Sequence, residues 1–455
     1  MKEIKMRQDD KMFTISTDTR NYQTGEFFLA IQGKKFNPLD FVNPILEKGC
    51  PYLFYEHNEM NHKLVEKLRE NFKKTEFVSV RSSVEFIQEL AHYHMEEWKN
   101  KSDDHILFAI SGSNGKTTHK EMLAHILSQV LEGQVVATEE NNNNHLGVPL
   151  TLLKVKDQTK VVVLELGSNH PGEIKTLCDI AIPNAGLTTN IGATHLEFFF
   201  NEANVFKEES YLYHAVKNNT NGEGLFLLNL DDSYLRTLPL TKGTISFGHI
   251  KSHHPQAVVD VENMKIYYNN MAYTAFHPSV TGDHNKQNLL LCVLIASLLF
   301  PDQKEKFELA AKKFIPAQNR SQWLEVEGKS VFLDAYNANP SSMEIALKGF
   351  KDHLFKNHID LKKACLILGD MNELGEKSAF YHESIGRYLK KLGFTHAYFI
   401  GKFASSYAKG FAGGDVIGSV QELRSDFKEK CLNKFPIHFV KGSRSLQLES
   451  LFDIN

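Results

Sequence analysis

A glycine-rich loop followed by a lysine and two threonines is the feature that most constrains this chain. The apolar run 105–110 leads into residues 112–118, Gly-Ser-Asn-Gly-Lys-Thr-Thr, and an amphipathic stretch 118–130 follows. Glycines let backbone N–H groups curl around phosphate oxygens, the lysine adds positive charge, and the threonine hydroxyl suits Mg²⁺. The pattern predicts a strand, a phosphate loop and a helix that bind ATP and Mg²⁺ through Gly112, Ser113, Asn114, Gly115, Lys116, Thr117 and Thr118.

The spacing of this loop departs from the common P-loop, G-x-x-x-x-G-K-[ST]. Two residues instead of four separate its glycines, which indicates a particular branch of ATP-using proteins. A glycine turn that only connects a strand to a helix is the alternative interpretation. Such a turn has no need of Lys-Thr-Thr at the start of the helix.

Length and composition limit the class of protein. A chain of 455 residues exceeds what one hydrophobic core usually serves, so two or three domains are expected. With 52 basic and 55 acidic residues the net charge is −3, which gives no reason to expect a nucleic-acid partner. The N-terminus lacks an apolar segment, and no run approaches the ~18 apolar residues that span a bilayer. We expect a soluble, cytoplasmic monomer without a membrane segment.

The cysteines give information about redox chemistry. They are odd in number, scattered and free of C-x-x-C spacing, which argues against a disulfide framework or a zinc site. We expect reduced thiols in the core at Cys50, Cys178, Cys292, Cys365 and Cys431.

Alternating strand-like and helix-like segments predict an α/β fold in three domains. A small N-terminal α/β domain, 1–102, carries short strands and ends in a polar linker, 98–104. A central P-loop domain, 103–317, has a mainly parallel sheet, and a C-terminal domain, 318–455, is Rossmann-like. The buried-strand candidates are 13–16, 27–31, 52–55, 161–166, 186–191, 225–230, 330–334, 364–368, 397–400 and 437–440.

Polar side chains follow several of these strands. Glu165 ends one strand and His195 lies in the loop after the next, where carboxyl ends of parallel strands form a ligand cleft. A solvated carboxylate and a structural histidine are the simpler interpretations, but a shared cleft with Lys116 favours metal binding. The amide-rich loop at 141–144 is either a turn or a set of donors and acceptors for a polar ligand.

Together these motifs resemble the Mur ligase family, ATP-dependent amide-forming enzymes of bacterial cell-wall synthesis. The resemblance runs over nearly the whole chain and in the family's order. It is carried by the shortened P-loop and by residues 190–197, 229–232, 282–288, 336–343, 368–375 and 441–444.

The resemblance implies a substrate pair. Residues 336–343 and 368–375 are similar to the branch that joins D-alanyl-D-alanine to UDP-N-acetylmuramoyl-tripeptide through an acyl phosphate, with ADP as a product. The third residue of the tripeptide, diaminopimelate or lysine, is left open. So are a ligase for another amine, a P-loop kinase, and a weakened or regulatory ATP-binding relative.

The resemblance also implies the role of each residue. Lys116, His195 and Arg320 would be catalytic, and Asn288, Arg320, Asp334 and Asn337 would contact the nucleotide. The UDP end would be held by Thr17, Asp18, Thr19 and Arg20, and the rest of the substrates by Asn141, Asn144, Asn339 and Ser341. The ligands of Mg²⁺ would be Thr117, Glu165, His195 and Glu209.

One position departs from the family pattern. Fourteen residues after the histidine the family commonly has a lysine whose carbamate helps to hold a second Mg²⁺, and here that position is Glu209. Lys207 lies two residues earlier, and positions two apart on a helix do not face the same way. We expect the Glu209 carboxylate to replace the carbamate, since both are anionic oxygen ligands. A register shift that uses Lys207, or a weakened site, are the alternatives.

Overall fold

The computed structural model describes residues 7–8, 11–12, 14–33, 36–249, 253–276, 280, 282–316 and 321–452. Three sheets of four, nine and six strands follow one another along the chain, and helices cover them. The predicted α/β class with mostly parallel sheets is therefore confirmed. No helix among the described residues is long and apolar enough to cross a membrane.

The N-terminal part contains an antiparallel pair and a parallel sheet. Strands β1 (Arg7–Gln8) and β2 (Lys11–Met12) form the pair. The sheet has the order β3 (Ile15–Ser16), β4 (Phe27–Ala30), β5 (Tyr52–Glu56) and β6 (Glu76–Val80). The helices are α1 (Asn43–Glu47), α2 (Glu59–Asn71) and α3 (Ser83–Lys99).

Helix α3 joins this sheet to the next part of the molecule. Ile87 packs on the N-terminal sheet, whereas Ala91, Met95 and Trp98 belong to the central core. Trp98 is buried and its Nε1 donates to the Thr159 carbonyl at 3.1 Å. The prediction that a linker begins at residue 98 was thus wrong, because α3 continues to Lys99. Ala91, Met95 and Trp98, spaced four and three positions apart, form one apolar face of this helix.

The central part has a nine-stranded sheet. Its strands are β7 (Ile106–Ser111), β8 (Val135–Ala137), β9 (Val161–Glu165), β10 (Ala185–Thr188), β11 (Leu225–Asn229), β12 (Thr244–Gly248), β13 (Ala257–Asp260), β14 (Lys265–Tyr268) and β15 (Met271–Ala275). The order is β15-β14-β13-β12-β11-β10-β7-β9-β8. All pairings are parallel except β13 with β14 and β14 with β15. The helices are α4 (Lys116–Ser128), α5 (Gly147–Leu152), α6 (Glu173–Ala181), α7 (Leu196–Phe199), α8 (Glu202–Glu209), α9 (Tyr211–Asn219), α10 (Asp283–Leu299) and α11 (Lys304–Ala311).

Strand β7 lies at the centre of this core. Phe108 and Ile110 pack with α4 and α10 on one face, and Leu107 and Ala109 pack with α3, α5, α6 and α9 on the other. Burial on both faces explains its nearly continuous apolar sequence. Its neighbours are β9 and β10, so the phosphate loop lies beside the loops that follow those strands.

The C-terminal part repeats the parallel pattern. Its sheet has the order β16 (Gln322–Val326), β17 (Lys329–Asp334), β21 (Ile437–Lys441), β18 (Ala364–Gly369), β19 (Ala397–Ile400) and β20 (Asp415–Ile417), and only β16 is antiparallel to its neighbour. The helices are α12 (Pro340–Lys356), α13 (Ser378–Leu392), α14 (Ala404–Phe411) and α15 (Val420–Arg424).

One apolar cluster joins the central and C-terminal parts. Leu196 and Phe199 of α7 pack in the same core as Met371 and Leu374, which follow β18. This contact holds the carboxyl ends of the C-terminal strands opposite the phosphate loop.

Candidate active site

A cleft of ≈ 770 Å³ lies between the carboxyl ends of the central and C-terminal sheets. Loops after β7, β8, β9, β10 and β17 and the last residue of β21 form its walls. The cleft brings together most of the site residues predicted from the sequence: Ser113, Asn114, Gly115, Lys116, Thr117, Thr118, Asn141, Asn144, Glu165, His195, Asn288, Asp334, Asn337 and Asn339.

The phosphate loop has the backbone that its glycines permit. Gly112 has φ +118°, and a Cβ there would lie 2.3 Å from the Thr189 Oγ1, so no side chain fits. Gly115, with φ +81°, precedes α4 and offers no side chain to cap it. The N-terminus of α4 therefore presents its partial positive charge beside Lys116, whose Nζ donates to the Gly112 carbonyl.

Two predicted metal ligands are in direct contact. Thr117 Oγ1 donates to Glu165 Oε1 at 3.0 Å, and Asn143 Nδ2 donates to the same oxygen at 2.8 Å. The other oxygen, Glu165 Oε2, is buried and has no hydrogen-bond partner in the structure. A buried carboxylate oxygen without a donor is costly, and a hard divalent cation would satisfy it. These residues fit Mg²⁺.

His195 has a left-handed backbone conformation, φ 49°, at the start of α7. Its Nδ1 lies 2.7 Å from Glu373 Oε2 of the C-terminal part. His195 Nδ1 forms no hydrogen bond with any described residue. The two atoms are nevertheless close enough that the interaction with His195 holds the pKa of Glu373 below its usual value, against the effect of burial. The imidazole thus lies where the two sheets meet.

Glu209 lies at the end of α8, beneath the phosphate loop. Its Oε2 accepts from the Gly112 N–H at 2.7 Å, and its Oε1 is 3.5 Å from Ser168 Oγ. Burial raises the pKa of this carboxyl, and the nearby Lys116 charge opposes that rise. Lys207 is exposed. Of these two residues, Glu209 faces the loop.

Two amides and a hydroxyl, those of Asn114, Asn339 and Ser341, connect the phosphate loop to the C-terminal part. Asn114 Nδ2 donates to Ser341 Oγ at 2.7 Å, and Asn339 Nδ2 donates to Asn114 Oδ1 at 2.7 Å. Asn190 Oδ1 accepts from the Asn114 N–H at 3.1 Å. The Tyr336 hydroxyl contacts Asn141 Oδ1 across the same cleft. The motif at 336–343 is therefore in contact with the phosphate loop.

Asp334 ends β17 in a polar cluster. Its Oδ2 is 2.5 Å from Lys441 Nζ, which also donates to the Asn337 carbonyl at 2.9 Å. The Ser321 N–H donates to Oδ1 at 3.1 Å. Arg320 lies outside the described residues.

The residues predicted to hold a UDP group lie in the N-terminal part and do not line this cleft. They occupy the turn after β3, where Arg20 Nη2 donates to Asp18 Oδ2 at 2.7 Å. The hydrogen bonds from Arg20 lower the pKa of Asp18 to about 2. Thr17 and Thr19 belong to the same turn.

The sequence interpretation missed two residues that touch the predicted ligands. Asn143 lies inside the amide-rich loop, but the direction of its side chain was not readable from the sequence. Glu373 lies inside the motif 368–375, whose acidic residue was a signal for a charged partner.

The three-part fold and the inter-sheet cleft define a P-loop nucleotide-binding protein whose C-terminal part closes over the phosphate loop. Residues 110–296 match the Mur ligase middle domain, and residues 319–431 match the domain described as Mur ligase, glutamate ligase domain. The two matches span most of the sequence, and the chain belongs to the Mur ligase family.

Individual relatives cover almost the full chain. UDP-N-acetylmuramoyl-tripeptide--D-alanyl-D-alanine ligase of Buchnera aphidicola subsp. Acyrthosiphon pisum (strain APS) is 29% identical, over 96% of this chain and 92% of that protein. The crystal structure of MurF from Acinetobacter baumannii has a TM-score of 0.79 at 24% identity, covering 97% and 92%. MurF ligase from Thermotoga maritima in complex with ADP has a TM-score of 0.74 at 22% identity, covering 97% and 96%. The two structures have the fold of this chain.

Proposed function

We propose that this chain is an ADP-forming ligase that joins D-alanyl-D-alanine to UDP-N-acetylmuramoyl-tripeptide. The observation that carries the proposal is the contact of Asn339 and Ser341 with Asn114 of the phosphate loop. This contact supports a site in which the motif assigned to the amine substrate lies beside the γ-phosphate of bound ATP. The shared name of the full-length relatives supports the same substrate pair.

The proposed reaction has two steps. The terminal carboxylate of the tripeptide attacks the γ-phosphorus of ATP, forming a C–O–P linkage and releasing ADP. The amine of D-alanyl-D-alanine then attacks the acyl carbon, loses a proton, and displaces inorganic phosphate from the tetrahedral intermediate. Enclosure between the two sheets excludes water, which would hydrolyse the acyl phosphate.

Residues of the central part position the phosphates. The Lys116 ammonium and the N-terminus of α4 attract the phosphoryl oxygens as charge develops on them. Bound Mg²⁺ would neutralise further phosphate charge. Thr117, Glu165, His195 and Glu209 would hold the Mg²⁺ ions.

Glu209 is the ligand in which this chain differs from the family pattern. The residue is buried beside the loop, whereas Lys207 points to solvent. We therefore assign the role of the carbamate to the Glu209 carboxylate, and a water molecule would bridge the distance left by its shorter side chain. Activity then needs no carbon dioxide.

The remaining assignments divide between the cleft and the N-terminal part. Asn288, Asp334, Asn337 and Arg320 contact the nucleotide, and Asn141, Asn144, Asn339 and Ser341 contact the peptide substrates. The turn at Thr17, Asp18, Thr19 and Arg20 holds the UDP end. A protein that uses ATP and a nucleotide-linked precursor is expected to work in the cytoplasm, here as a monomer.

Phosphate release tests the proposal. Release from ATP and Mg²⁺ should require both UDP-N-acetylmuramoyl-tripeptide and D-alanyl-D-alanine. Lys116→Ala should lower the rate at least ~100-fold, because it removes the charge nearest the transferring group. Lys154→Ala, whose lysine pairs with exposed Glu139, is the matched control and should keep the rate.

Two outcomes of the same assay would contradict the proposal. ATP binding without release in the presence of both substrates would indicate a regulatory relative. Phosphate release at the same rate with and without D-alanyl-D-alanine would indicate a phosphate-transferring enzyme of the kinase type.

A further inference from the structure

Two thiols and an imidazole meet in the core of the C-terminal part. Cys365 of β18 and His438 of β21 are register partners on adjacent parallel strands, so their side chains share one face of the sheet. Cys431 comes from a π-helical turn, Lys428–Leu432, that covers this face. All three side chains are fully buried, and none lines the cleft described above.

The three donor atoms are close to one another. The Cys365 and Cys431 Sγ atoms are 3.3 Å apart, and Cys431 Sγ is 3.7 Å from His438 Nδ1. Tetrahedral Zn²⁺, with Zn–S of about 2.3 Å and Zn–N of about 2.0 Å, holds two sulfurs about 3.8 Å apart and sulfur and nitrogen about 3.5 Å apart. The two distances from Cys431 Sγ each differ from these values by about half an ångström or less, and all three donor atoms lie within 4.8 Å of one another.

The His438 imidazole has the orientation expected of a histidine that binds a metal. His438 Nε2 lies 3.0 Å from the Phe435 carbonyl oxygen and donates its proton there. The lone pair is then on Nδ1, the nitrogen that faces Cys431. A backbone carbonyl that fixes the tautomer in this way is the usual outer partner of a ligating histidine.

Among the residues that the structure describes, these three form the one group of at least three metal-ligating side chains with converging donor atoms. The sequence argued against a zinc site because the five cysteines are odd in number, scattered and free of C-x-x-C spacing; Cys365 and Cys431 are 66 positions apart. Strand pairing and the covering turn bring them together. A π-helical turn is a rare element that frequently marks a functional site.

We propose that Cys365, Cys431 and His438 bind one Zn²⁺ ion. Soft thiolates and a neutral imidazole are the ligands that this ion prefers. Two thiolates and one Zn²⁺ sum to zero charge, which an apolar core tolerates. Binding releases the two thiol protons to solvent, and a water molecule completes the tetrahedron. The ion fastens the turn 428–432 to the sheet.

Cobalt titration of the full-length protein, stripped with a chelator and kept reduced, tests the proposal. One equivalent of Co²⁺ should produce the thiolate-to-metal charge-transfer band, and Zn²⁺ should abolish it. Cys431→Ser should remove the band. Cys178→Ser is the matched control, because Cys178 is also buried but has no thiol or imidazole partner in this cluster, and it should keep the band.

A wild-type protein that gives no band, or a Cys431→Ser variant that gives the wild-type band, would overturn the proposal. The wild-type titration decides even where the variant does not fold. Zn²⁺ should also raise the Tm of the stripped wild type and leave that of Cys365→Ser unchanged. The Mg²⁺ site has no thiolate among its assigned ligands, so a negative result here leaves the proposed ligase activity untouched.

Discussion

Glu209 is a residue at which we expect stability and activity to oppose each other. Its carboxylate is buried beneath the phosphate loop and has one short hydrogen bond, from the Gly112 N–H. Burial raises its pKa in the folded protein above the unfolded value of 4.5, so the folded state binds the proton more tightly. The charged form therefore lowers the free energy of unfolding at neutral pH, and the effect disappears below about pH 4.5.

Glu209→Gln should separate these two effects. The amide keeps the shape but removes the buried charge, so in Mg²⁺-free buffer the Tm should rise at pH 8 and approach that of the wild type as the pH falls towards 4.5. The loss of an anionic ligand should lower ligase activity about 10- to 100-fold. Thermal denaturation across this pH range and steady-state rates measure the two effects.

Glu139→Gln is the control, since its carboxylate is exposed and should affect neither quantity. A Glu209→Gln variant with full activity would contradict the role assigned to the carboxylate. So would a loss of wild-type activity when carbon dioxide is removed.

Single residues could be predicted only where a local motif fixes them. Thr117 and Glu165 were expected to share a metal site. Thr117 Oγ1 and Glu165 Oε1 are 3.0 Å apart because Thr117 follows β7 and Glu165 ends the neighbouring strand β9. Glu373 meets His195 only through the packing of two separate sheets. That packing leaves no periodic signal in the sequence.

Helix α12 shows how one element serves both folding and the site. Asn339 caps it, with Oδ1 accepting from the Ser342 N–H at 2.9 Å, while Nδ2 of the same side chain donates to Asn114. The helix cap uses only the side-chain oxygen of Asn339, as an acceptor. The contact with the phosphate loop uses its amide nitrogen, as a donor. Two substitutions can therefore distinguish the functions.

Asn339→Asp should keep the cap and lose the donor. Its Tm should stay near that of the wild type, while kcat/KM should fall about 5- to 10-fold for one lost hydrogen bond. Asn339→Ala loses both and should also cost about 1 kcal/mol of stability. Thermal denaturation and steady-state kinetics compare the two. Equal Tm values for the two variants would show that the cap contributes nothing.

A fully buried strand was predicted correctly from the sequence, and a hairpin at the edge of a sheet was missed. Strand β19 (Ala397–Ile400) has the bounds read from the sequence, because its four residues are all buried and apolar. The hairpin of β14 and β15 was not predicted, since it lies at the sheet edge and mixes polar with apolar residues. Its turn residues Asn269 and Asn270 both have positive φ, the type I′ geometry, so the signal was present in the sequence.

At the scale of the whole molecule, we expect activity to depend on contact between the central and C-terminal parts. Gly192 lies against Ser341 at that contact, and a Cβ on Gly192 would be 2.7 Å from Ser341 Oγ but 3.4 Å from Ser341 Cβ. An added Cβ at residue 192 would therefore clash with the Ser341 hydroxyl and not with the rest of that side chain. A methyl group at this position should push the C-terminal part away from the phosphate loop.

Gly192→Ala should lower kcat/KM roughly 5- to 150-fold, the equivalent of about 1–3 kcal/mol of overpacking. Because Ser341→Ala removes the clashing oxygen, the double variant should be no slower than Ser341→Ala alone. Steady-state rates of the three variants form the cycle. Additive losses would show that Gly192 acts through something other than this contact.

The central claim concerns one new amide bond formed through an acyl phosphate. Mass spectrometry of products from tripeptide substrate labelled with ¹⁸O in its terminal carboxylate tests it most directly. We predict a UDP-muramoyl-pentapeptide and one ¹⁸O atom in the released phosphate, since the attacking carboxylate oxygen leaves with phosphorus. Phosphate without label, or ADP formed without the pentapeptide, would contradict the account.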